Sequence, residues 1–76
     1  MKGGDDMPEM IPVISSNLSA VGYDATTKQL FIRFTTSTYV YSGVPASIYH
    51  GLMSASSHGQ YHAQFIKHAF PYRRIA

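Results

Sequence analysis

Tyr39, Val40 and Tyr41 alternate, so an extended strand would put both tyrosine rings on one face and Val40 on the other. Leu30, Ile32 and Phe34 alternate in the same way in the preceding segment, with Phe31 and Arg33 on their opposite face. Two arrangements are open. If Val40 joins Leu30, Ile32 and Phe34 in the core, Tyr39 and Tyr41 stand outside beside Phe31 and Arg33. Aromatic rings and an arginine on an open sheet face are a means of stacking bases of RNA or single strands. If the tyrosines face inward, their rings fill the core of a small domain and their hydroxyls find a partner there.

A second concentration of chemistry lies near the C-terminus, where Arg73 and Arg74 follow Tyr72 and Lys67 comes a turn or so earlier. Such cations contact phosphates and position a nucleic acid without reading its sequence. The alternative is a solvated tail. His58 and His62 are spaced i, i+4, which puts both on one helical face. That spacing can hold zinc, but a site normally needs a third ligand. The chain has no cysteine, and beyond residue 24 it has no acid; His50 and His68 are the only reserves. No metal and no cofactor is therefore expected, and the histidines read as surface imidazoles that charge in mild acid. The serines at 54, 56 and 57 lack a nucleophile elbow, and there is no carboxylate pair, phosphate loop or dinucleotide fingerprint. No catalytic residue is assigned, and a non-enzymatic role is expected.

The elements that must position these residues follow from periodicity. A first strand is expected from about Leu18 to Tyr23, a loop over 24–28, a second strand from Gln29 to Thr35 and a third from Thr38 to Ser42. Short links between the three imply an antiparallel meander. Gly43 breaks the pattern, and Pro45 suits the first turn of a helix. Ile48, Tyr49, Leu52 and Met53 then make one apolar stripe. Ser56 or Ser57 would cap a second helix running to about His68, with Tyr61, Phe65, Ile66 and Ala69 on its apolar face. The predicted fold is α+β: a three-stranded antiparallel meander followed by two short helices packed on one face. Residues 1–12, with Gly3, Gly4 and Pro8, read as a flexible tail, and 13–76 as the single domain.

Composition bounds the rest. Seventy-six residues allow one core, and 45% apolar content with six Tyr and four Phe can fill it. The absence of cysteine excludes disulfides and fits a reducing compartment. No apolar run approaches the roughly 18 residues of a membrane span, so a cytoplasmic protein with no membrane partner is expected. The four acids all fall within the first 24 residues, and the remainder carries Lys28, Arg33, Lys67, Arg73 and Arg74 with no carboxylate. A body of one sign favours anionic partners.

Several short pieces in order carry a resemblance. They are Ser15-Ser16, Gly22-Tyr23-Asp24, the Leu30/Ile32/Phe34 alternation, Tyr39-Val40-Tyr41, Gly43-Val44-Pro45 and Tyr49, then Ala55, Ser57, Gly59, Tyr61 and Ile66. Together they resemble the KTSC domain family, named for its occurrence at the C-terminus of some lysyl-tRNA synthetases, over about residues 13–72. The chain departs from that family at Thr36-Ser37, where the turn lacks glycine, and in carrying His58 and His62. The resemblance implies a small domain, stand-alone in bacteria and phages or appended to larger proteins. Through the synthetase context it suggests RNA.

The resulting expectation is a binding module for RNA or another anionic nucleic acid, with Arg33, Tyr39, Tyr41, Lys67, Arg73 and Arg74 as contacts. The alternative is a protein-interaction module, an adaptor or phage-encoded inhibitor, or a homodimer.

Overall fold

The structure is a computed structural model and describes residues 7–76. Its centre is the predicted meander: β2 (Leu18–Asp24), β3 (Gln29–Phe34) and β4 (Thr38–Tyr41). Two further strands extend it, β1 (Ile11–Pro12) before β2 and β5 (Tyr72–Arg74) beyond β4. All neighbours are antiparallel, in the order β1-β2-β3-β4-β5. The expected three strands are therefore five. The added strands have two and three residues, too few to show alternation, and are all exposed. Hydrogen bonds to their neighbours define them. Ile11 and Pro12, expected in the tail, pair with Val21 and Ala20. The basic tail at 72–74 is likewise a paired strand, continued where Ile75 N–H donates to the Thr38 carbonyl at 2.8 Å.

The turns follow local chemistry. Asp24 Oδ1 accepts from the Thr26 amide at 3.0 Å, an Asx turn that starts the first hairpin loop. Lys28 ends that loop at φ 58°, in the left-handed region. The second hairpin closes without glycine, Phe34 N–H donating to the Ser37 carbonyl at 2.7 Å. Gly43 turns the chain out of β4 at φ 74°, a conformation that costs glycine little.

Pro45 is the extended N-cap residue of α1 (Ala46–Ser54), one position ahead of the expected first turn. Ser57 caps the second helix by accepting from the Gln60 amide at 3.2 Å. That helix is not one α-helix running to His68. It is α2 (His58–Tyr61) followed by a π-helical turn (His62–Ile66), with Lys67 N–H donating to the His62 carbonyl at 2.9 Å. The wider turn changes which residues face inward: His62 and Ile66 are buried, whereas Phe65 and Ala69 are exposed.

Both helices cover one face of the sheet. The core there is Leu18, Val21, Leu30, Ile32, Tyr41, Val44, Leu52 and Ile66. Tyr23 ties sheet to helix twice. Its hydroxyl donates to the Val44 carbonyl at 2.6 Å, and its ring stacks on Tyr49 with centroids 4.8 Å apart. Gly51 lets α1 approach the Tyr61 ring more closely than any side chain would permit. The opposite face carries Ala20, Gly22, Phe31 and Val40; Ala20, Phe31 and Val40 are buried there. Pro8–Met10 lies against Gly22: a Cβ at that position would stand 2.7 Å from Met10 Sδ and 3.0 Å from the Glu9 carbonyl oxygen. Among the described residues no helix is long and apolar enough to cross a membrane.

Candidate functional site

Strand register settles the two arrangements of Tyr39 and Tyr41. Leu30 pairs with Tyr41 and Ile32 with Tyr39, so the tyrosines share the core face. Phe31 pairs with Val40, and Val40 with Arg73, on the opposite face. Val40 does become buried, but on the side away from the helices, at 1% exposure. The expected platform of Tyr39, Tyr41 and Arg33 therefore does not form. Arg33 lies between Ile32 and Phe34 and points to the other side of the sheet. Arg73 shares that side with it. Arg74, opposite Tyr39 in register, is on the tyrosine side, with its Nε donating to the Ala76 carbonyl at 3.0 Å.

The two short helices do not cover the whole tyrosine face. Over β4 and β5 they leave a cleft of about 380 Å³, within the usual range for a small-molecule site. Its floor and walls bring together Phe34, Tyr39, Tyr41, Tyr72, His62 and Lys67, with Asn17 at the margin. Three of the six expected contacts, Tyr39, Tyr41 and Lys67, thus line one site, and Arg74 flanks it. The aromatic rings are packed edge to face or tilted. Phe34 meets Tyr39 at 5.7 Å and 81°, and Tyr72 leans on Tyr39 at 5.6 Å and on Tyr41 at 5.5 Å. Tyr72 is 57% exposed, an aromatic surface at the rim that a planar ligand can reach.

At the base of the cleft, Tyr41 and His62 form a pair. The Tyr41 hydroxyl and His62 Nε2 are 2.7 Å apart and share one hydrogen. Their rings meet nearly edge-on at 75°. Burial, reinforced by the Tyr72 and Tyr39 hydroxyls, pushes the Tyr41 pKa up from 10.0 to about 12. Burial, reinforced by Lys67, pushes that of His62 below its ordinary 6.5. Both groups are therefore neutral at pH 7. This corrects the reading of His62 as a surface imidazole. His58 is also engaged, its Nδ1–H donating to the Leu52 carbonyl at 2.8 Å. Among the described residues no cluster of three His, Cys, Asp or Glu side chains could hold a metal.

Chemically, the cleft offers aromatic surface, one cation, a neutral imidazole and hydroxyl groups. Among the described residues no Asp or Glu lines it, so none of them offsets Lys67 there. His62 was missed as a site residue because it is 21 residues from its partner Tyr41, and no local pattern links them. Tyr72 was legible as the aromatic beside two arginines, but its place against Tyr39 and Tyr41 comes from the pairing of β5.

Two relatives share most of this chain. A protein of Tsukamurella paurometabola is 39% identical over 62 residues, covering 80% of this chain and 92% of its own. The crystal structure of the KTSC domain protein YPO2434 from Yersinia pestis superposes with a TM-score of 0.87 at 38% identity, covering 90% of this chain and 97% of that one. The KTSC domain description matches residues 14–70. With that match across the central meander and both helices, the chain belongs to the KTSC domain family.

Proposed function

We propose that this chain is a small non-enzymatic module that binds single-stranded nucleic acid, RNA in the first place, through the cleft over β4 and β5. The observation that carries the reading is the placement of the exposed Tyr72 ring and Lys67 at one cleft that no carboxylate of the described residues lines, with Arg74 alongside. A base stacks on Tyr72, and the backbone runs past Lys67 and Arg74. The acid-free stretch from residue 25 onward favours approach of a polyanion. The synthetase association lends it no support. A cytoplasmic location accords with it.

Fluorescence anisotropy with a labelled single-stranded RNA, repeated over a salt series, tests it. Binding should weaken with salt, with a logarithmic slope of about −0.7 for each phosphate that the protein neutralises. Lys67→Ala and Arg74→Ala should weaken binding and flatten the slope. Arg33→Ala and Arg73→Ala, on the other face, should do so far less. Undetectable or salt-insensitive binding would remove the reading.

The exposed edge of β5 favours a second reading, a protein-interaction module or homodimer. An open strand edge accepts another strand, with Tyr72 as an aromatic anchor. A protein partner that survives nuclease treatment, or a dimer mass by light scattering, would favour it over the first.

A further inference from the structure

The cleft's two basic side chains are brought together by one irregular turn. In the π-helical segment the Lys67 amide reaches back five residues to the His62 carbonyl. Residue 67 is thereby laid over residue 62, and both side chains line the cleft. In a regular α-helix the same five-residue step would leave Lys67 about 140° around the axis from His62. Single π-turns inside helices recur at functional sites.

The imidazole is fixed on one side and open on the other. Nε2 is held by Tyr41. Nδ1 has no hydrogen-bond partner among the described residues, and no buried side-chain nitrogen or oxygen there lacks one. The ring lines the cleft, and Nδ1 is the nitrogen left for a group bound there.

We propose that the cleft captures a nucleotide phosphate between Lys67 and His62, and that capture is coupled to proton uptake by the His62 imidazole. This rests on the nucleic-acid reading and names the group the site grips. Burial, reinforced by Lys67, keeps His62 neutral in the free protein. An anion between the two side chains screens the repulsion and adds an attraction of its own. By linkage, a ligand that favours the imidazolium binds more tightly as pH falls. The pair can accommodate the proton by rotation of the Tyr41 hydroxyl hydrogen alone. In the neutral state Nε2 accepts from the Tyr41 hydroxyl and Nδ1–H points to the ligand. In the charged state the hydroxyl turns and accepts from Nε2–H.

The groups around His62 leave it as the titrating member. Tyr39 and Tyr41 on β4 and Tyr72 on β5 are phenols, with Tyr41 pushed up to about 12. Phe34 on β3 and Asn17 ahead of β2 do not titrate, Lys67 is the one Lys or Arg lining the cleft among the described residues, and α1 contributes nothing to it. His58, one turn earlier on α2, is bonded to Leu52 and does not line it.

The test is calorimetric titration with 5′-UMP and, separately, with a single-stranded hexauridylate, at pH 5.5 and 7.5, with the imidazole resonances followed by NMR. Affinity should rise as pH falls, by up to about tenfold per pH unit for one proton taken up. The His62 resonances should titrate at higher pH with ligand than without. Proton-linked binding of both ligands supports the phosphate site with either source. Proton-linked binding of the hexamer alone supports it with the phosphate supplied by a chain, and of 5′-UMP alone with a free nucleotide. His62→Gln should abolish the pH dependence of hexauridylate binding, since phosphodiesters, unlike the phosphate monoester of 5′-UMP, do not titrate in this range. If that buried variant does not fold, Lys67→Met, at an exposed position, should raise the titration midpoint of His62 in the free protein and shrink the ligand-induced shift. Binding of either ligand with no pH dependence and unmoved His62 resonances overturns this inference and leaves the nucleic-acid reading standing. No binding of either ligand overturns both.

Discussion

The two faces of the sheet were built from the same strands but ended differently. On one, large side chains (Leu30, Ile32, Tyr39, Tyr41) meet two helices, and where the helices run out the tyrosines line a cleft. On the other, small or compact residues (Ala20, Gly22, Val40) lie beside Phe31, and the segment Pro8–Met10 comes down onto Gly22. The first face keeps usable aromatic surface because a helix pair this short cannot cover five strands. The second carries Arg33 and Arg73, neither of which lines the aromatic cleft. Basic residues are thus divided between the faces by strand parity, and Lys67 and Arg74 are the ones beside the tyrosines.

Adjacent residues on opposite faces give the sharpest tests. Ile32→Ala removes a fully buried side chain from the helix-covered core, and urea denaturation should show a loss of about 2–5 kcal/mol. Its neighbour Arg33→Ala, exposed on the other side, should change stability by no more than about 0.5 kcal/mol. A comparable loss at both positions would refute the assignment of faces.

The Tyr41–His62 pair comes next. Tyr41→Phe leaves His62 Nε2 without its partner in a buried site and should cost about 1–3 kcal/mol. The pair also sets a pH profile. His62 binds a proton less readily folded than unfolded, so acid favours the unfolded chain. The melting temperature should therefore fall as pH drops through and below about 6.5, the ordinary histidine value. Tyr41 holds its proton longer folded than unfolded; its contribution is complete below pH 10 and is lost as pH rises through about 12. Thermal melts across both ranges check this, and a flat acid limb would contradict a buried neutral His62.

The third contrast is Tyr72 against Arg73. Tyr72→Ala should cost about 1–3 kcal/mol of single-strand binding through weakened stacking, read by anisotropy. Arg73→Ala should show only a small, salt-screened decrease. Equal effects would move the binding surface off the cleft. The smallest expected difference is at Gly51. Alanine there gains about 1 kcal/mol of helix propensity but must displace the Tyr61 ring, so the net change should be destabilising.

The central meander, the switch to helix after Gly43 and the Ser57 cap were legible because each rests on local chemistry: alternation, a left-handed turn, a side-chain oxygen near free amides. The edge strands were not, because Ile11–Pro12 and Tyr72–Arg74 are too short for a pattern and exist through pairing. The π-turn was invisible for a related reason. His62 to Ile66 has the composition of an ordinary helix, and Phe65 looked like a core residue until the wider turn carried it outward. Strand parity split the expected site: Tyr39, Tyr41 and Lys67 line the cleft, Arg74 flanks it, and Arg33 and Arg73 lie across the sheet.

Alternation in Tyr39-Val40-Tyr41 determined by itself that the two rings share a face, since successive strand residues point to opposite sides. It could not determine which face. Either Val40 or the tyrosine pair could complete a hydrophobic layer with β3, and both patterns bury apolar surface. Register decided the matter by setting Tyr41 against Leu30 and Val40 against Phe31. The place of the cleft was decided later still, by where two short helices stop and a π-turn brings Lys67 over His62. The cleft joins segments far apart in the chain, and no run of neighbouring residues encodes that meeting.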